Sequence, residues 1–260
     1  MKPALLHTAT LALFAALITG CNSKPAATPA AATPAVAAAP PVFHVDPATA
    51  GSVSGTVKYD GAKPRPKLID MSSDPSCVAA HKGKAYDESL VTTKGGLGNA
   101  FVYISKGLEG KTFAVPDAGV TIDQAGCWFR PRVLGLQTGQ TLDVVNSDPV
   151  THNIHPMAVI NREWNHSQGP GDPVMHRKFT KQEVMIPVKC NIHEWMHAYI
   201  GVVDHPYFTV TKDDGTFTLP NLPPGTYTVT AWHELLGTQE TTVTIAASGK
   251  AEADLKFHAK

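Results

Sequence analysis

The chain carries no excess of charge of either sign. Across 260 residues, Lys+Arg 22 stand against Asp+Glu 22, a formal net charge of +0. Nucleic-acid binding draws on a basic surface that releases counterions from phosphates, so nucleic acid is excluded as a leading partner. No apolar run reaches the roughly 20 residues that a membrane-spanning helix needs, so no span of the mature chain is expected. Aromatic residues are few, at 7%, yet 43% of the chain is hydrophobic, which is ample for a packed core and argues against a wholly disordered protein. Gly and Pro number 21 each, which favours turns and short strands over long helices. The length suits one large domain or two modest ones.

The first 21 residues have the layout of a secretory signal peptide. Lys2 supplies the positive start, an Ala/Leu/Ile stretch follows, and small residues lead to Cys21. The run Leu17-Ile18-Thr19-Gly20-Cys21 resembles a bacterial lipobox, which implies lipidation of Cys21 as the first mature residue; the alternative is a plain signal peptide with an incidental cysteine. Asn22, rather than Asp, resembles an outer-membrane sorting signal. Residues 24–42 are almost entirely Ala, Pro and Thr. Prolines block helix and favour extended polyproline II, so this stretch reads as a tether. The expectation is an exported, lipid-anchored protein, held at the outer membrane and facing the periplasm or cell surface.

From Ser52 onward short β runs alternate with turns. Strands are expected at Val53–Tyr59, Ala100–Ser105, Val133–Val145 with a turn at Thr138-Gly139, Glu183–Val188 and Ala198–Val203. Four more are expected at Tyr207–Thr211, Thr216–Leu219, Thr226–Trp232 and Thr241–Ile245. A short helix is expected around Cys77–His81. Strands at this spacing suggest β-sandwiches.

Two segments carry the chemistry. Cys190-Asn191-Ile192-His193-Glu194-Trp195-Met196 places a thiolate, an imidazole and a thioether in C-x2-H-x2-M spacing between two strands. Upstream, Asn146-Ser147-Asp148-Pro149-Val150-Thr151-His152-Asn153 follows the strand at Thr141–Val145. A copper electron-transfer site takes two imidazoles, one thiolate and a weak axial thioether, and His152, Cys190, His193 and Met196 supply that set. His197 is an alternative axial ligand, zinc is an alternative metal because Cys and His also suit it, and a metal-free fold is the remaining option. His155, His166, His176, Met157 and Met175 read as scattered surface residues. Trp195 could cover the site, shape a docking face or simply pack.

These segments together resemble the cupredoxin family, and the short C-x2-H-x2-M loop resembles amicyanin. The resemblance runs over about residues 119–205, including Gly126-Cys127-Trp128-Phe129-Arg130-Pro131. It implies one type 1 copper and a role for Asn153 in tying the two ligand loops together. Residues 206–256, with Asp213-Asp214-Gly215, Leu222-Pro223-Pro224-Gly225 and Tyr227, resemble a carboxypeptidase regulatory-like, transthyretin-like sandwich. Ser54-Gly55-Thr56-Val57 and Asn99-Ala100-Phe101-Val102 resemble its early strands. The expected fold is therefore all-β, a cupredoxin-like Greek-key β-sandwich plus a smaller carboxypeptidase regulatory-like β-sandwich. The expected parts are a signal peptide (1–20), a linker (21–45), an N-terminal β region (46–118), a copper domain (119–205) and regulatory-like strands (206–260). The regulatory-like sandwich is either split around the copper domain or consecutive with it.

Of the four cysteines, Cys21 is assigned to lipid and Cys190 to metal. Cys77 and Cys127 remain as a possible disulfide in an oxidising compartment; a second metal site using Cys77 and His81 competes with it. The leading function is single-electron transfer between redox partners such as a cytochrome or a dehydrogenase. Copper storage, delivery or resistance is the second reading, and a partner- or polysaccharide-binding surface module the third. An enzyme is not expected: the paired His-x-His motifs of a multicopper oxidase are not found, and a lipidated Cys21 excludes an N-terminal histidine brace.

Overall fold

The computed structural model describes residues 40–62 and 65–259. The expected signal peptide, Cys21 and the expected tether up to residue 39 lie outside the described residues. Along the chain, β1 (Gly51–Asp60) precedes the helix α1 (Pro75–His81), and β2 (Thr92–Thr93), β3 (Gly96–Leu97) and β4 (Phe101–Lys106) follow. The middle forms β5 (Val120–Gln124), β6 (Phe129–Arg130), β7 (Val133–Gln137), β8 (Thr141–Asn146) and β9 (His152–Pro156). It continues with β10 (His166–Gln168), β11 (Met175–Lys178), β12 (Glu183–Lys189) and β13 (His197–Val203). The last part forms β14 (Phe208–Val210), β15 (Thr216–Leu222), β16 (Gly225–His233), β17 (Gly237–Ile245), β18 (Lys250–Glu252) and β19 (Leu255–His258). The fold is all-β apart from the single α-helix among the described residues.

The alternation of β8 gives its reason for being a strand. Leu142, Val144 and Asn146 are buried while Thr141, Asp143 and Val145 are less so, the period of two that one covered sheet face requires. α1 begins where it does because Asp74 accepts from the Ser76 and Cys77 amides and Pro75 occupies the first turn. It stops at Lys82, which takes the left-handed conformation.

Strands from the two ends of the chain share sheets. β1 pairs with β15, β18, β19 and β3, and β4 pairs with β14 and β16. The middle strands form two other sheets, ordered β10-β9-β12-β13-β7 and β11-β8-β5-β6. Their facing sides close over Ile122, Leu136, Leu142, Val144, Ile154, Ile186 and Ile200. A second core gathers Val53, Leu97, Ile104, Leu219, Val229 and Leu255, and Phe43 and Val45 pack against it. The end of the Ala/Pro-rich stretch thus joins the folded body, with the Phe43 amide donating to Thr112.

A third cluster, with Phe101, Val133, Met185 and Val203 buried and Phe208 and Trp232 against it, joins β4, β14 and β16 to β7 and β13. Gly135 and Gly201 stand opposite each other on β7 and β13. A Cβ on Gly135 would come within 2.4 Å of the Phe208 ring, and one on Gly201 within 2.5 Å of Phe101. The glycine pair is therefore the floor on which those two rings lie, and it sets how closely the sheets approach. The same frame brings the loop before β9, the loop between β12 and β13, and α1 to one place.

Candidate metal centre

The loop Cys190–Met196 is closed by its own backbone: the Cys190 amide donates to the Met196 carbonyl (3.2 Å) and the Met196 amide to the His193 carbonyl (3.0 Å). That turn points Cys190 and His193 the same way, while β9 delivers His152 from the side. Donor atoms of His152, Cys190 and His193 all lie within 4.8 Å of one another. Relative exposures are 0% for His152, 3% for Cys190, 3% for His193 and 0% for Met196, so the centre is sealed from water.

Each imidazole is held from behind. His152 Nε2 meets Asp148 Oδ2 at 2.8 Å, and His193 Nε2 meets Asp74 Oδ2 at 3.0 Å. A carboxylate takes an N–H, so both rings donate from Nε2 and turn Nδ1 inward. Those two Nδ1 atoms face each other at 3.1 Å, and Cys190 Sγ lies 3.8 Å from the Nδ1 of His193. Three donor atoms turned on one point at these distances need a proton or a metal cation between them. The donor set of two imidazoles and a thiolate suits copper, and Met196, from the same loop, is buried.

The sulfur is prepared as an anion. The amides of Asn153, Ile192 and His193 each donate to Cys190 Sγ at 3.4 Å. Burial works to raise its pKa, but His152 and these three amides outweigh it and bring the thiol from 9.0 to about 6. Burial likewise works against charge on His152, and Asp148 and the Cys190 sulfur reverse it to a net upward shift. Burial also opposes the Asp148 carboxylate; the His152 contact and the Cys127 and Gly126 amides hold its pKa below the usual range. Asp74 is lowered chiefly by its hydrogen bond to His193.

Asn153 accepts the Asn191 amide at 3.1 Å, a direct tie between the two ligand segments. Cys77 and Cys127 form a disulfide that brings α1 beside the centre, with Cys77 Sγ 3.6 Å from His193 Nε2. That bond removes Cys77 as a thiolate, and Trp128 Nε1 donates to His81 Nδ1 at 2.9 Å, so the competing Cys77/His81 metal site has no free donor pair. Trp195 is half-buried, its ring centroid 5.2 Å from that of His193 and its Nε1 donating to the Cys127 carbonyl. His197 is exposed at the start of β13, opposite Lys189. His155 meets Glu163 at 2.5 Å and Asn191 at 3.3 Å, His176 meets Asp143 at 2.6 Å on the surface, and His166 is exposed. His233 is fully buried, and burial, aided by the nearby Arg132 charge, pushes its pKa down to about 4.

Sequence reasoning did not single out either carboxylate. Asp148 stands four residues before His152 inside the quoted loop, and that spacing is the signal that could have found it. Asp74 lies 119 residues from His193, and its only local mark is the Asp-Pro start of a short helix.

Residues 197–258 match the carboxypeptidase regulatory-like domain family. The match begins on β13, which pairs with β12 and β7 in the middle sheets, and continues through β19. No curated protein matches the chain. Among solved structures, a copper-containing nitrite reductase from Thermus scotoductus SA-01 is similar at 24% identity and a TM-score of 0.32, over 38% of this chain and 25% of that one. The chain thus spans about a quarter of the nitrite reductase. An oxidized amicyanin mutant is similar at 19% identity and a TM-score of 0.30, over 39% of this chain and 97% of that one. A purple cupredoxin from Nitrosopumilus maritimus is similar at 23% identity and a TM-score of 0.27, over 32% of this chain and 98% of that one.

Proposed function

We propose that His152, Cys190, His193 and Met196 hold one type 1 copper ion and that the protein carries single electrons between redox proteins. The observation that carries this reading is the pair of inward-turned imidazole Nδ1 atoms facing each other at 3.1 Å beside a thiol brought down to about 6. Copper in such a set supplies a one-electron couple, Cu(II)/Cu(I). The residues of this chain supply rigidity: two carboxylates fix the ring orientations, three amides fix the sulfur, and β9, β12 and β13 fix the backbone. A donor set that is already aligned has little to rearrange when charge changes. The burial of that set supports a carrier rather than an enzyme. Burial of all four side chains favours electron transfer over storage or delivery, which needs an open site for ion exchange. In this reading the chain is exported, anchored by a lipid on Cys21 at the outer membrane, and meets a cytochrome or a dehydrogenase as partner.

The test is a visible and electron paramagnetic resonance titration of the full chain with Cu(II). An intense blue band with narrow copper hyperfine splitting is the expected result; tight binding without that band would move the case to copper handling, and no binding would end the copper reading. Met196→Leu should then keep the copper and change its reduction potential, because the axial ligand tunes it. An unchanged potential, measured by redox titration of the blue band, would remove Met196 from the site.

A further inference from the structure

We propose that Asp74, which comes from outside the segment supplying the donors, is a positioning residue for His193 that engages Nε2 and so turns Nδ1 to the metal side of the ring. The proposal rests on the copper reading for its use but on geometry for its content. Asp74 has two separable tasks. Its Oδ1 accepts the Ser76 amide (2.9 Å) and the Cys77 amide (3.2 Å), which starts α1. Its Oδ2 meets His193 Nε2 at 3.0 Å. An ionised carboxylate can only accept, so Nε2 is the donor, and a neutral His193 then keeps its lone pair on Nδ1. Nδ1 is the atom turned towards Cys190 and His152.

The helix cannot drift away from this contact, because Cys77, three residues on, is tied to Cys127, and the Cys127 amide donates to Asp148 at 2.7 Å. Asp148 in turn holds His152. The disulfide therefore spans the two carboxylates, and the two rings are set against each other through one covalent brace. Partners behind a ligating histidine fix its tautomer and orientation, and their loss costs about 10- to 100-fold in metal affinity. The segment 119–205 holds every donor but lacks Asp74, so the centre is complete only with the N-terminal region folded onto it.

Two substitutions separate the tasks. Asp74→Asn keeps a capping oxygen but turns an amide N–H towards His193. Nε2 must then accept, and the proton moves to Nδ1. Asp74→Ser keeps the cap and is too short to reach the ring. Nitrogen NMR of the copper-free full chain with labelled histidine reads the tautomer directly. Expected are Nε2–H on His193 in the wild type, Nδ1–H in Asp74→Asn, and a mixture in Asp74→Ser. Copper affinity should fall about 10- to 100-fold in both variants, with the unfolding midpoint of Asp74→Ser close to wild type. An unchanged His193 tautomer in Asp74→Asn overturns the proposal, and so does full copper affinity in Asp74→Ser. A wild type that takes up no copper yet inverts its tautomer in Asp74→Asn would sink the copper reading and leave the positioning role standing.

Discussion

Cys190→Ser is expected to abolish the intense visible band of the copper-loaded protein. In the copper-free protein it is expected to remove an ultraviolet thiolate absorbance whose midpoint lies near pH 6. Cys77 and Cys127 are joined to each other and contribute no thiolate. Any ordinary thiol titrates near about 8.5, well apart from the buried one. The cause of the low value is specific: three amides and the His152 ring face the sulfur, and a serine oxygen would gain nothing comparable at neutral pH. The stability of the copper-free protein follows the same shift. A thiol whose folded value lies below its unfolded value contributes stability that is complete above the unfolded value and is lost as pH falls through about 6. Wild type and Cys190→Ser should therefore differ most in the alkaline range and converge in acid, by denaturant unfolding across pH. A blue band that survives the substitution would exclude Cys190 as the donor.

What a sequence discloses here depends on how locally each feature is encoded. Cys190, His193 and Met196 sit in seven residues of one loop, so their spacing is legible; His152 is legible because it closes a polar loop after an alternating strand. The long strands β16 and β17 announce themselves by alternation, β12 and β13 by apolar runs, each with flanking turns. The two-residue strands β2, β3 and β6 span a single period of the β alternation, too little to read as a pattern, and exist because neighbouring strands offer them hydrogen bonds. β10 and β11 likewise lie in a polar stretch with no alternation to read, yet they edge the middle sheets. Of the carboxylates behind the imidazoles, Asp148 is marked by its spacing from His152, whereas Asp74 is illegible for a different reason. Asp74 is ordinary until the disulfide and the sheets deliver it to a ring 119 residues away. Pairings across the chain, such as β1 with β15, are equally a property of the assembled sheets.

The second large effect lies where β7 meets β16. Arg132 and Glu234 form a two-pronged ion pair, Nε to Oε1 at 2.6 Å and Nη2 to Oε2 at 2.8 Å, with the side chains 7% and 5% exposed. Burial works against the Arg132 charge, and Glu234 more than restores it. Beside the pair, Tyr199 and Trp232 pack with ring centroids 4.9 Å apart, and His233 is kept neutral. Removing one partner leaves a buried charge with nothing to answer it, so Glu234→Ala should cost about 3–5 kcal/mol in unfolding free energy. Replacing both by apolar groups of similar size avoids that penalty, because the desolvation of two ions is then spared. Arg132→Met combined with Glu234→Leu should lie close to wild type, far above either single substitution. The pair is remote from Cys190 in sequence and shares no hydrogen bond with the donors, so the blue band of the folded single variants should keep its intensity and position. A Glu234→Ala protein as stable as wild type would mean that water reaches Arg132.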